Sequence, residues 1–302
     1  MMQADHLPSR PGSLQTWILA ARVPTLPAAV VPVLVGTATA WAAGAFLAGP
    51  FVAALAAALL IQIGTNLAND YFDFRKGADT AERLGPVRIT QSGLVPPETV
   101  RTATMLVFGL AALIGVYLTI VGGLPILVIG VFSIAAGVLY TGGPWPLAYH
   151  SLGDVTVFIF FGLVAVVGTT FLHTGAFSQQ AIIYALPVAA LVTAILVVNN
   201  LRDIATDRVA RKHTLAVRLG ARATRVEYIV LLVAAYAVPP VAWLTLGTPR
   251  GFWLPWLTLP LAVHLIRVVL REEGRPLNAA LAGTGRLHLL FGILWAIGIV
   301  VS

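Results

Sequence analysis

Phe51-Val-Ala-Ala-Leu-Ala-Ala-Ala-Leu-Leu-Ile-Gln-Ile-Gly-Thr-Asn66-Leu-Ala-Asn69-Asp70-Tyr-Phe-Asp73-Phe-Arg75-Lys76-Gly-Ala-Asp79 changes character at Asn66. Up to that point it is almost wholly apolar. The fourteen residues from Asn66 to Asp79 then carry three carboxylates, two amides and two cations. The apolar part does not alternate, so it does not read as a membrane strand. A helix satisfies its own backbone groups in lipid, and about 20 residues suffice to cross a core of about 30 Å. The segment therefore reads as a transmembrane helix whose end dips a polar cluster into one interface.

The rest of the chain repeats that theme. Its 302 residues are 58% hydrophobic and 10% charged, with a mean hydropathy of +0.89. Soluble domains carry roughly 25% charged residues, so this is an integral membrane protein. Apolar spans are expected near 25–46, 50–69, 100–121, 124–141, 153–172, 181–200, 226–247, 252–271 and 284–301. The expected fold is all-α: a polytopic helical bundle of about nine transmembrane helices, forming one domain over 1–302. A polar head at 1–24 and cap loops at 74–99 and 201–224 lie outside the bilayer. The polar start lacks a small-residue cleavage site after an apolar core, so no removable signal peptide is expected. With no cysteine, disulfides, thiolate metal sites and cysteine nucleophiles are excluded.

Charge placement orients the bundle. With the N-terminus cytoplasmic, 18 of the 19 Lys and Arg residues fall on the cytoplasmic side, and only Arg250 lies opposite. Short cytoplasmic loops carry such an excess by the positive-inside rule. The net charge of +7 then reports orientation in the cell inner (plasma) membrane and not nucleic-acid binding. The six histidines are scattered without metal-ligand spacing.

A second cluster, Asn199-Asn200-Leu-Arg202-Asp203-Ile-Ala-Thr-Asp207-Arg208, ends the sixth span as the first ends the second. Spans 1–4 and 5–8 thus read as two four-helix pseudo-repeats, with one helix left over. Because each unit has an even number of spans, both clusters share the cytoplasmic face. On a helix, Asn66, Asp70 and Asp73 share one edge, as do Asn199, Asp203 and Asp207. Such oxygen ligands suit a hard cation, which a few carboxylates hold together with substrate phosphates. The interleaved Arg75, Lys76, Arg88, Arg202, Arg208 and Lys212 add an anion, so the pair reads as a metal–diphosphate site. Tyr140, Tyr149, Phe158, Phe160 and Phe161 are candidates to line it and stabilise a cation.

Asn69-Asp70-Tyr-Phe-Asp73 and Asp203-Ile-Ala-Thr-Asp207 resemble the two acidic motifs of the UbiA superfamily of intramembrane aromatic prenyltransferases. Asn69-Asp-Tyr-Phe-Asp-Phe-Arg-Lys-Gly-Ala-Asp79-Thr, Gly85-Pro-Val-Arg88-Ile-Thr90-Gln91-Ser92-Gly93, Tyr140-Thr-Gly-Gly-Pro and Lys212-His-Thr-Leu-Ala-Val-Arg218 narrow the resemblance to the 1,4-dihydroxy-2-naphthoate polyprenyltransferase branch. The resemblance implies an enzyme that moves a polyprenyl group from its diphosphate to the naphthoate with loss of the carboxylate, giving demethylmenaquinone. It implies Mg²⁺ as cofactor, held by Asp70, Asp73, Asp203 and Asp207, with Asp79 as a further ligand displaced by two residues from the usual spacing. Asn66, Asn69 and Asn199 would orient ligands. Arg22, Arg75, Lys76 and Lys212 would neutralise diphosphate, Arg88, Gln91 and Ser92 would contact the aromatic acid or the diphosphate, and Tyr140 would face the substrate. A sibling enzyme with another aromatic acceptor, or a secondary transporter, are the alternatives. A transporter would place its acids near the bilayer midplane, whereas all twelve here lie toward one side.

Overall fold

The computed structural model describes residues 12–78, 83–246 and 250–301, and every regular element among them is helical. The α-helices are α1 (Ser13–Ala21), α2 (Pro27–Ala42), α3 (Ala48–Arg75), α4 (Pro97–Leu139), α5 (Gly153–Val157), α6 (Ala165–Thr174), α7 (Gln179–Val209), α8 (Leu215–Leu246), α9 (Leu259–Arg271) and α10 (Leu277–Val300). Seven segments are long and apolar enough to cross a membrane, or eight if the bent pair 13–25 and 27–42 is one span. The bend of 52° follows from Arg22, whose left-handed backbone (φ 51°) ends α1, and from Pro27, which needs no N–H partner at the first position of α2.

α4 has 43 residues, about 65 Å of helix, twice what a bilayer core requires. It doubles back at Gly123, where φ is +69°. A Cβ at Gly137 would lie 3.4 Å from Phe108, so the two arms run antiparallel about that turn. The expected nine passes therefore require counting the two arms separately and the bent N-terminal pair once. α4 faces lipid: only 11% of its apolar window is buried, against 72% for α7. The main core gathers around α7, with Leu191 and Tyr184 against Tyr228 and Leu232 of α8, Phe291 and Trp295 of α10, and Val31 and Val35 of α2.

Two helix ends carry the repeat down to single hydrogen bonds. After α3, Gly77 N–H donates to Phe74 O (3.0 Å) and Ala78 N–H to Asp73 O (2.9 Å). After α7, Arg211 N–H donates to Arg208 O (3.2 Å) and Lys212 N–H to Asp207 O (2.8 Å). Both are the paired 5→2 and 6→1 closure in which one left-handed residue ends a helix; Gly77 has φ +66° and Arg211 φ +55°. The register this sets pairs Asp73 with Asp207 and Asn69 with Asp203.

The cap loops differ from expectation. Residues 84–96 form a true loop, pinned by Ile89 and Val95 against Leu67 and Val100. The second is shorter than expected: α7 continues to Val209, because Asp203 and Asp207 are helical. The connection is the turn at 210–214 plus a short helical stretch at 215–219 that breaks at Gly220 (φ +80°) before the rest of α8.

Candidate active site

The two helix ends meet across a cavity of about 210 Å³ at the cluster-bearing side of the bundle. From α3 it is lined by Gln62, Asn66, Asn69 and Asp73, and from α7 by Asn199, Asn200, Asp203 and Asp207. Arg22, Arg83, Arg88 and Lys212 supply positive charge, and Tyr140, Asp154 and Phe161 close another side. A second cavity of about 90 Å³, lined by Ala58, Ile61, Ala136 and Phe160, shares Ala28, Thr65, Tyr140, Val157 and Phe161 with the first. Polar and apolar compartments therefore adjoin at Tyr140 and Phe161.

Asp73 is held from two directions. The Tyr149 hydroxyl donates to one oxygen at 2.9 Å, and Arg88 approaches the other at 3.4 Å with both side chains buried. Lys76 and Lys212 lie over the Tyr149 ring at 4.8 and 5.6 Å from its centroid, a cation–π arrangement. Lys212 also faces Asp207 at 4.0 Å. Burial alone would depress the Lys212 ammonium, but Asp73, Asp207 and Asp203 outweigh it and leave its pKa above the ordinary lysine value. That lysine is a fixed positive charge. Burial is also the main reason that the Tyr140 hydroxyl resists ionisation, with Asp154, Asp73 and Asp207 adding to it.

Of the residues expected at the site, Asn66, Asn69, Asp73, Asn199, Asp203, Asp207, Arg22, Arg88, Tyr140 and Lys212 all line this cavity. Asn66 is engaged there, donating to Ala21 O and Thr25 Oγ1, both at 3.0 Å. Asp70 is not brought to the cavity. Its two oxygens accept the backbone N–H groups of Ile89 (3.2 Å) and Thr90 (3.0 Å), so it anchors the 84–96 loop. The helical repeat explains this: the partner of Asp70 in the second cluster is the apolar Ile204. Arg75 is exposed at the helix end, and Lys76 donates to Thr141 O at 2.6 Å beside the cavity. Gln91 and Ser92 also lie off it, Ser92 donating to Arg88 O at 2.7 Å. Asp79 lies outside the described residues.

Arg202, expected to attract diphosphate, turns away from the cavity. It grips Asp203 with Nε at 2.8 Å and Nη2 at 2.5 Å, and reaches Asn199 at 2.9 Å and Asn278 of α10 at 2.7 Å. Asn278 in turn donates to Leu84 O at 2.9 Å. Asn278, Thr141 and the Tyr149–Asp73 bond carry no sequence signal near the acidic motifs; they act by long-range approach. Thr141 donates to Asn69 Oδ1 at 2.8 Å.

Among the described residues, the side-chain metal-ligand atoms facing the cavity are all oxygen. Among the described residues no three acids or histidines converge closely enough to hold an ion unaided. Two separated carboxylate stations flanked by fixed cations fit a hard divalent ion whose shell is completed by phosphate oxygens. The family model described as "UbiA prenyltransferase family" matches residues 29–291. The chain belongs to the UbiA prenyltransferase family. It is 39% identical over 290 residues to the 1,4-dihydroxy-2-naphthoate octaprenyltransferase of Mycobacterium tuberculosis, covering 95% of this chain and 96% of that protein. The Escherichia coli protein of the same name is 37% identical over 300 residues, covering 95% and 96%. Among solved structures, a UbiA homolog from Archaeoglobus fulgidus bound to GPP and Mg²⁺ superposes with a TM-score of 0.65 at 14% identity, covering 95% of this chain and 100% of the other. This UbiA-family chain thus has the fold of that homolog, with both helix-end clusters on one cavity.

Proposed function

We propose that this chain transfers a polyprenyl group from polyprenyl diphosphate to 1,4-dihydroxy-2-naphthoate with loss of the carboxylate, forming demethylmenaquinone in its quinol state. The observation that carries this reading is the single cavity in which Asp73, Asp203 and Asp207 alternate with Arg22, Arg88 and Lys212, opening beside an apolar compartment. The relatives' shared name supports the acceptor.

Asp73, Asp203 and Asp207 are the residues that would hold Mg²⁺, with Asn69 and Asn199 as neutral oxygen donors. Bound there, Mg²⁺ supplies Lewis-acid stabilisation of the departing diphosphate. Arg22, Arg88 and Lys212 neutralise the same charge as it grows on the leaving oxygens, which lowers the barrier to breaking the allylic C–O bond. Tyr140 and Phe161 stand where the two compartments meet, so their ring faces meet the allylic carbon as it gains positive charge. The isoprenoid tail runs into the apolar compartment past Ile61 and Phe160. Asp70 serves the site indirectly, by fixing the loop that carries Arg88. The active site and N-terminus face the cytoplasm from the inner (plasma) membrane, as the charge asymmetry supports.

The test supplies purified protein with a polyprenyl diphosphate, the naphthoate and Mg²⁺, and follows prenylated product and released diphosphate. Asp73→Asn and Asp203→Asn are each expected to lower turnover by at least about a hundredfold, and chelation of divalent ions to abolish it. Product with 4-hydroxybenzoate but none with the naphthoate would assign a different acceptor.

A further inference from the structure

Among the described residues, four carboxylates line the cavity: Asp73, Asp154, Asp203 and Asp207. Three are engaged, Asp73 by Arg88 and Tyr149, Asp203 by Arg202 and Asn199, Asp207 by Lys212. Asp154 is different. It is 6% exposed, and among the described residues its side chain has no ion pair and no hydrogen bond beyond one to its own backbone N–H. Burying a carboxylate without a partner is costly, so a residue kept in this state has its partner arrive with the ligand.

Its position says which ligand. Asp154 belongs to neither acidic helix end; it stands at the start of the span Gly153–Thr174. A Cβ built at the adjacent Gly153 would lie 3.1 Å from the Tyr140 hydroxyl and 3.5 Å from Leu196. Tyr140, Val157 and Phe161 make this the aromatic, apolar end of the cavity. Among the described residues no basic side chain pairs with Asp154, so this end disfavours a diphosphate. The charged or titratable groups that sense Asp154 are Tyr140 and, from α8, Glu227. A flat, hydroxylated ring suits such a pocket: its face meets Phe161 and its O–H donates to the waiting carboxylate.

We propose that Asp154 binds a ring hydroxyl of the aromatic acceptor and takes its proton as the new carbon–carbon bond forms; this rests on the acceptor reading above. The phenolic O–H bond breaks, its proton passing to Asp154 Oδ and its electron pair moving into the ring. The carboxylate-bearing ring carbon, ortho to that oxygen, bonds the allylic C1 of the donor, and the pair of the C1–O bond leaves with diphosphate. Loss of CO₂ then returns an electron pair to the ring, and the ring oxygen recovers the proton from Asp154. No proton is gained or lost overall, and no oxidant is needed.

Asp154→Asn, Asp154→Ser and Asp154→Glu, compared with wild type, separate this role from its alternatives. Donor affinity, measured by Mg²⁺-dependent binding of geranyl diphosphate without acceptor, is expected to stay at the wild-type value in all three, which also reports that they fold. With the naphthoate, kcat is expected to fall about a hundredfold or more in the Asn and Ser variants and to recover by about tenfold in the Glu variant. A ring-halogenated naphthoate with a more acidic hydroxyl is expected to narrow the wild-type to Asn ratio, since less basicity is then needed. Asn or Ser turnover within about threefold of wild type overturns the role, as that is below what a general base contributes. Loss of geranyl diphosphate binding also overturns it, because Asp154 would then belong with the diphosphate ligands. A ratio that ignores acceptor acidity leaves only a structural part for Asp154 and equally overturns it. Wild-type protein that prenylates no dihydroxynaphthoate removes the acceptor reading itself, a failure distinct from these.

Discussion

Arg202 shows how a side chain that never touches the cavity governs one that does. Its guanidinium is fully buried and spans Asp203, Asn199 and Asn278, fixing in one orientation the carboxylate of Asp203, which lines the cavity. Supporting partners of metal-binding carboxylates typically contribute 10–100-fold to metal affinity. Arg202→Gln is therefore expected to raise the Mg²⁺ concentration for half-maximal turnover by about 10–100-fold and to lower thermal stability, because it leaves Asp203 buried without its cation. Wild-type Mg²⁺ dependence in that variant would sink the orienting role. This is also where sequence reading reaches its limit. Asp73, Asp203, Asp207 and Lys212 were legible because helical spacing and motif order specify them. Arg202 and Asp70 carried the right chemistry in the right stretch and yet point elsewhere. Which way a polar side chain turns on a buried helix depends on neighbours such as Asn278 and the Ile89–Thr90 backbone, many residues away in the chain.

At the scale of the element, the two site helices end in the same hydrogen-bonded turn, and each turn places a lining residue, Ala78 or Lys212, at the cavity. One uses Gly77 at its left-handed position and the other Arg211. A left-handed conformation costs a side-chain-bearing residue roughly 1–2 kcal/mol, and a Cβ at Gly77 would meet nothing within 4 Å. Gly77→Ala thus isolates the backbone term: thermal unfolding in detergent should show a loss of about 1 kcal/mol, and Arg211→Gly a gain of similar size. Unchanged stability in both variants would mean that these turns are not what the helix ends require. Spans and acidic clusters were readable from hydropathy, and the internal repeat was visible as spacing. The length of α7 was not, because nothing in a run of Asn, Arg and Asp distinguishes a polar helix end from a loop until the repeat with α3 is seen in three dimensions.

At the scale of the whole molecule, the bundle sorts its charge. The two clusters, the turn at 210–214 and the 84–96 loop all gather at one end, whereas the opposite end is marked by Gly44 between α2 and α3 and Gly175 between α6 and α7. If the Lys and Arg excess orients the chain, a substrate made in the cytoplasm reaches the cavity without crossing the bilayer, and its greasy tail enters from lipid. The chain has no cysteine, so single cysteines report sidedness without background. In sealed inside-out vesicles, where the cytoplasmic face is outermost, a membrane-impermeant maleimide is expected to label Arg211→Cys and to spare Gly44→Cys and Gly175→Cys until detergent is added. Right-side-out vesicles should give the reverse pattern. Labelling of Gly44→Cys and Arg211→Cys from the same side would break the antiparallel layout on which the shared cavity depends, since α3 must carry Asp73 to the side where α7 ends. Labelling of Arg211→Cys from the outer face alone would leave that layout intact and invert the orientation. The charge asymmetry would then have to be explained by the anionic substrate, for which Arg22, Arg88 and Lys212 already converge, and not by membrane insertion.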